Sequence, residues 1–198
     1  MSISVVIAYH SGYGHTARQA QAVASGAESV PGVHADLRNV AVLDEPLWQA
    51  LADAEAIIFG TPTYMGSQSA VFQAFAEASG QVWARQGWRD KLAAGFTTSA
   101  GVNGDKLNTL SSLTVFSAQH GMHWVSLGLP PGWLYSTTGE VDDLNRLGGF
   151  LGAMAQAPSD AGPDDAPPTA DLRTAEHLGR RVAQVAVQMR QGRLVGAA

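Results

Sequence analysis

Residues 3–9 read ISVVIAY, an apolar run rich in β-branched side chains with almost no polar alternation. A strand of that pattern is buried on both faces, and such strands belong to parallel sheets covered by helices on either side. The rest of the chain keeps to that plan. Residues 16–29 set Ala17, Ala20, Val23, Ala24 and Ala27 on one helical face and stop at Pro31-Gly32. Residues 33–37 form a weaker second strand, and a short helix over 47–52 precedes a third strand at 55–59. Helical spacing returns over 67–79, through Ala70, Val71, Ala74, Phe75 and Ala78. A fourth strand covers 91–98, a helix 105–120 and a fifth strand 123–127. Leu172, Ala175, Leu178, Val182, Val185 and Met189 form one stripe of a last helix over 171–190, with Thr169 as its N-cap after Pro167-Pro168.

Strand–helix alternation of this kind predicts an α/β architecture, an open parallel sheet with helices on both faces. The whole of 1–198 reads as one domain. Residues 128–170 are crowded with proline and glycine and show no period. They are expected to be one long loop: an active-site flap, an oligomer arm or a partly disordered segment.

Composition removes several classes of function. The chain has no cysteine, which excludes disulfides, thiolate metal centres and a cysteine nucleophile. Net charge is −5 with no basic run, so neither nucleic acid nor an anionic membrane is an expected partner. No apolar stretch is long enough to span a bilayer, and the N-terminal residues carry no basic segment of the secretory type. A cytoplasmic protein is expected. Charged residues make up 15% of the chain, against roughly 25% in an average soluble domain. A homo-oligomer, dimer or tetramer, would hide some of that weakly solvated surface. His10, His15, His120 and His123 lack acidic partners in register, so no metal site is expected.

In an open α/β sheet, ligands bind beyond the carboxyl ends of the strands. After the first strand comes His10-Ser11-Gly12-Tyr13-Gly14-His15-Thr16, running directly into a helix. Two glycines, two hydroxyls and a helix N-terminus make a cradle for an anion. The same residues match G-x-G-x-x-A through Gly12, Gly14 and Ala17, with Asp36 as a ribose carboxylate, so a dinucleotide fingerprint is the competing reading. The hydroxyls favour a terminal phosphate monoester. Loops 60–67 and 97–104 are also small, hydroxyl-rich and glycine-punctuated. Three such loops at adjacent strand ends would wall a flat ligand carrying one phosphate. No G-x-S-x-G elbow for serine hydrolysis occurs.

These segments, followed by His120-Gly121-Met122, together resemble the WrbA-type flavodoxin-like NAD(P)H:quinone oxidoreductases, in order over nearly the whole chain. The resemblance implies a flavodoxin-like, three-layer, doubly wound sheet of five parallel strands in the order 2-1-3-4-5. It implies non-covalent FMN, NADH or NADPH as co-substrate, a quinone as acceptor, and frequent assembly as tetramers. By the same resemblance Ser11, Tyr13, Gly14, His15 and Thr16 hold the FMN phosphate, with Tyr13 also near the nicotinamide. Pro62, Thr63, Tyr64 and Met65 line the ring and ribityl chain. Thr98, Ser99, Ala100, Gly101, Val102 and Asn103 wrap the polar edge of the ring. His120 is the catalytic candidate beside the flavin, and Trp83 flanks the substrate. The chain departs from the family pattern at Tyr64-Met65, where an arginine-aromatic pair is usual, and at the bulkier Ala100, Val102 and Asn103.

The expected activity is two-electron quinone reduction by NAD(P)H through bound FMN, in ping-pong order. Three other readings stay open. One is an FMN or azo-type reductase on the same fold. Another is a non-enzymatic flavodoxin-like module for electron transfer or protein interaction. The third is a nicotinamide-binding protein that uses Asp36.

Overall fold

In a computed structural model of the chain, residues 2–196 are described, with side chains through residue 192. The elements in chain order are β1 (Ile3–Tyr9), α1 (His15–Glu28), β2 (Val33–Asn39), α2 (Glu45–Asp53), β3 (Ala56–Tyr64), β4 (Ser67–Gln68), α3 (Ala70–Ala78) and α4 (Gly80–Ala84). There follow β5 (Leu92–Ser99), α5 (Lys106–Gln119), β6 (His123–Trp124), a 3-10 turn (Trp133–Tyr135), β7 (Ala153–Gln156) and α6 (Thr169–Gly196). The sheet runs β2-β1-β3-β5-β6, all parallel, with β4 antiparallel on the end of β3. This is the flavodoxin-like arrangement, with helices on both faces.

The fifth position in the sheet is shared by two segments. Leu92 and Ala93 of β5 pair with His123 and Trp124 of β6, while Phe96 to Ser99 pair with Ala153 to Gln156 of β7. The expected strand over 123–127 therefore makes ladder pairs only at His123 and Trp124, and the chain completes that strand position some thirty residues later. Gly128, at φ 70°, and Pro130-Pro131 break the first half. The second half, Ala-Met-Ala-Gln, has little intrinsic strand preference. Its place beside β5 makes it a strand, so the long loop expected over 128–170 contains β7.

Two cores flank the sheet. On one face Val5, Ile7, Ile58 and Phe96 meet Ala20, Val23 and Ala27 of α1 and Leu178 and Val182 of α6. On the other, Val6, Ala8, Ile57 and Phe59 meet Leu47 and Leu51 of α2, Phe72 and Phe75 of α3, and Leu110 and Leu113 of α5. Alternate residues of β1 thus face opposite cores, which is why its sequence lacks polar alternation. Central parallel strands buried in this way leave the loops at their carboxyl ends as the place for a ligand.

Candidate functional site

The loop between β1 and α1 leaves a helix end open. Gly14 is the N-cap residue of α1 at φ 90°, and no side chain caps the helix. By contrast Asp44 caps α2 through Leu47 N–H, and Ser69 caps α3 through Phe72 N–H. The first-turn N–H groups of α1 are therefore available to an anion. Ser11 Oγ accepts from Gly14 N–H at 3.1 Å, which holds the loop and leaves the hydroxyl proton free to donate. Thr16, in the same turn, is buried.

This helix end opens into a cleft of about 540 Å³. Ser11, Tyr13, His15 and Thr16 form one wall; Pro62, Thr63 and Tyr64 form a second; Thr98, Ser99 and Ala100 form a third. The three walls come from the carboxyl ends of β1, β3 and β5, adjacent in the sheet. Tyr64 and Tyr13 meet edge to face with centroids 6.2 Å apart. A Cβ at Gly12 would lie 2.3 Å from the Tyr64 hydroxyl oxygen, so glycine is needed there for the tyrosine to lie across the loop. Burial raises the Tyr64 hydroxyl above its ordinary pKa, the neighbouring Tyr13 adds to this, and a hydrogen bond from the Gly12 backbone opposes it. It remains a neutral phenol at physiological pH.

Hydroxyl chemistry in the second wall is internal. Thr97 Oγ1 donates to Thr61 O at 2.7 Å, so Thr63 donates to Thr97 and Thr109 donates to Thr63, both at 2.8 Å. Thr63 thus offers the cleft its methyl and backbone rather than a free hydroxyl. Thr98 is committed too, donating to Gln19 Oε1 at 2.7 Å.

A fourth wall comes from within the long loop expected over 128–170, for which an active-site flap is one of three readings. Ala157, Ser159, Ala161, Gly162 and Pro163, from the segment after β7, close the cleft over the phosphate loop. His15 Nε2 donates to Ala161 O at 2.9 Å, and the Arg18 guanidinium donates to Pro163 O. A Cβ at Gly14 would stand 2.9 Å from the Pro163 ring. The alternating burial of Ala153 and Ala155 marks the strand that brings this segment in.

Several expected residues lie elsewhere. Gly14 sits behind Pro163 rather than on the cleft surface. Met65 is fully exposed in a left-handed turn at φ 49°. Gly101 accepts from Lys106, and Val102 and Asn103 line a separate hollow with Leu107 and Phe150. Trp83 is half exposed on α4, outside the cleft. His120 also lies outside the cleft of its own chain. It is the C-cap residue of α5, one helix length or about 20 Å from the cleft end, next to the start of β6. Buried between Trp88 and Phe116 at centroid distances of 4.4 and 5.0 Å, it does not meet the cleft of its own chain. Asp36 lies in mid-strand, and its carboxylate is taken by Arg38 at 2.6 and 2.8 Å, which removes the free acid a dinucleotide fingerprint needs.

Comparison with known proteins agrees with this geometry. Residues 1–129 match the family model described as NADPH-dependent FMN reductase. The chain is 42% identical over 189 residues to flavodoxin FldP of Pseudomonas aeruginosa, covering 96% of this chain and 99% of that one. It is 34% identical over 211 residues to an NAD(P)H dehydrogenase (quinone) of Solidesulfovibrio magneticus, covering 95% and 100%. The crystal structure of a WrbA-like flavodoxin protein from Agrobacterium tumefaciens superposes with a TM-score of 0.74 at 44% identity, covering 94% of this chain and 99% of that one. The chain belongs to the NADPH-dependent FMN reductase family, as a WrbA-type flavodoxin-like member.

Proposed function

We propose that the protein is an FMN-dependent NAD(P)H:quinone oxidoreductase that works in ping-pong order. Family membership already makes it an oxidoreductase of FMN and NAD(P)H; quinone as acceptor and the alternating order are the finer reading. The observation that carries it is the uncapped N-terminus of α1, opening into a cleft walled by three loops from adjacent strands. The residues present fit FMN. The helix end and the Ser11 hydroxyl suit a dianionic phosphate, and about 540 Å³ of mostly apolar space lies within the usual range for a bound cofactor.

In this reading Ser11, Thr16 and the first-turn N–H groups of α1 hold the phosphate. Pro62, Thr63, Tyr64 and the 98–100 backbone flank the ring, and Tyr13, exposed at the mouth, borders the co-substrate. Residues 157–163 exclude water from the phosphate end. Bound there, FMN would supply the redox chemistry, taking two electrons and a proton from NAD(P)H and passing them to a quinone, which takes its second proton from solvent. A single mouth serving both co-substrates in turn would give the ping-pong order. A cytoplasmic homo-oligomer, dimer or tetramer, accompanies this reading; Leu134, Tyr135 and Phe150 are exposed apolar side chains that such assembly would cover. Among the described residues no helix is long and apolar enough to cross a membrane.

The test is FMN titration followed by steady-state oxidation of NADH and NADPH with benzoquinone. Saturable binding with parallel double-reciprocal lines is the expected result. A second reading, a flavodoxin-type electron carrier, is favoured by the name of the 42% identical relative. FMN binding without NAD(P)H oxidation would select it.

A further inference from the structure

Four segments meet beneath the loop that follows β5. Lys106, the first residue of α5, is fully buried, and its Nζ donates to Ser99 Oγ and to Gly101 O, both at 2.7 Å. Asp171, in the first turn of α6, accepts from Arg146 Nε and a terminal guanidinium nitrogen at 2.7 and 2.9 Å. It also accepts from Gln156 N–H at 2.9 Å. Gln156, the last residue of β7, donates through Nε2 to Ala100 O at 3.2 Å. Every residue from 99 to 101 is thereby tied to this cluster, and Ser99 and Ala100 are cleft wall.

One carboxylate faces two cations, so the cluster carries one positive charge in excess. Burial lowers Lys106 to about 8; Arg146 adds to that shift and Asp171 opposes it. The ammonium is still mostly protonated at pH 7. A buried ammonium whose partners are a hydroxyl and a carbonyl is costly to hold unless a further negative charge offsets it. The nearest place where that charge can arrive is the cleft, on the other side of loop residues 99–101.

We propose that Lys106 makes this end of the cleft selective for the more negatively charged redox state of the bound ring, reduced over oxidised FMN. The proposal rests on the FMN reading above. Uptake of two electrons and one proton leaves the ring one negative charge richer, and a cation behind a single layer of backbone, screened little by water, favours that state. Lys106 is a positioning residue. It shapes the 99–101 backbone and supplies a field without touching the ligand.

The test compares holoprotein of the wild type with Lys106→Met, which keeps the length and removes the charge, and Asp171→Asn, which raises the excess charge by one. The readouts are the midpoint potential of bound FMN and the affinity for oxidised FMN. Lys106→Met is expected to lose about tenfold of its preference for the reduced state, which is about 30 mV on a two-electron couple. Asp171→Asn should move the potential the opposite way when it is read at pH 6, where Lys106 keeps its proton although the carboxylate that raises it is gone, a sign that mere loosening of the loop does not produce. Unchanged potentials in both variants, with any loss of affinity shared equally by the two redox states, would reduce Lys106 to a loop brace and overturn the proposal. If Lys106→Met does not fold, Asp171→Asn decides alone: a rise supports the proposal and no rise overturns it. Failure of the wild type to bind FMN would overturn the cofactor reading itself, a result visible before any variant is made.

Discussion

His120 Nε2 donates to Ser79 Oγ at 2.9 Å, and that hydroxyl passes its own proton to Ala76 O at 2.7 Å. The chain of donors fixes the imidazole as the Nε2–H tautomer and leaves Nδ1 buried without a hydrogen-bond partner among the described residues. Burial lowers this histidine to about 4, so it is neutral at physiological pH and is not an imidazolium acid there. Its surroundings are those of an aromatic core residue, with Trp88 and Phe116 against the ring.

A pH dependence of stability follows. The unfolded His120 takes up a proton near 6.5 and the folded one only near 4, so the unfolded chain binds more protons between those values. Stability is full above about pH 6.5 and declines as pH falls toward 4. The largest contribution from this residue is about 3 kcal/mol. Burial lowers His10 and His177 in the same direction, so they add to the slope. Urea denaturation of the cofactor-free protein at pH 7, 5.5 and 4 should show the decline, and His120→Leu should flatten it. Equal slopes in both proteins would refute the assignment.

The phosphate cradle predicts a discrimination between two flavins. Replacing Ser11 and Thr16 together by alanine removes the hydroxyls offered to a phosphate, which riboflavin lacks, together with the Ser11 tie to Gly14 N–H. FMN affinity should fall by roughly ten- to a hundredfold, the worth of one or two hydrogen bonds to a charged group, while riboflavin affinity stays within about twofold. Fluorescence titration with each flavin decides it, and matching losses would argue against phosphate at this helix end.

Gly12 and Tyr64 should couple. An added methyl at Gly12 meets the tyrosine oxygen at 2.3 Å but the ring carbons only at 3.3 and 3.5 Å. Gly12→Ala is therefore expected to displace the side chain and weaken FMN, and adding Tyr64→Phe should restore much of the loss. A double-mutant cycle on FMN affinity with a coupling of about 1 kcal/mol or more is the expected outcome; strict additivity would mean that the two do not share the space.

The segment over the phosphate loop hangs on two side chains of α1, His15 at Ala161 O and Arg18 at Pro163 O. Arg18→Ala should raise proteolytic cleavage within 157–165 and speed FMN release severalfold, with less effect on global stability because Arg18 itself is half exposed. Limited proteolysis with and without FMN would reveal it. A cleavage pattern identical to wild type would show that the segment stays in place without that tie.

Much of this was legible in the residues. ISVVIAY could be little other than a central parallel strand, and the glycines and hydroxyls of 11–16 marked the strand-to-helix turn whose uncapped helix end opens into the cleft. Ten of the expected cofactor residues line the cleft, namely Ser11, Tyr13, His15, Thr16, Pro62, Thr63, Tyr64, Thr98, Ser99 and Ala100. All sit within a few residues of a strand end, where local pattern and position in space coincide.

What failed to read was whatever depends on distant partners. β7 is a strand because β5 offers it a free edge beyond Ala93, not because Ala153–Gln156 prefers extended backbone. His120 ends the helix read over 105–120, so its separation from the loop at the other end was already in the sequence; its packing between Trp88 and Phe116 was not. The internal spending of the Thr63 hydroxyl on Thr97 and Thr109, and the convergence of Lys106, Arg146, Gln156 and Asp171, join residues up to 65 positions apart. Periodicity and turn chemistry are local, so the sequence by itself determined the alternating strands and helices and the cradle at the first turn. Closure of the cleft and the buried charge behind its wall arise from side chains brought together only by packing, and tertiary structure alone decided them.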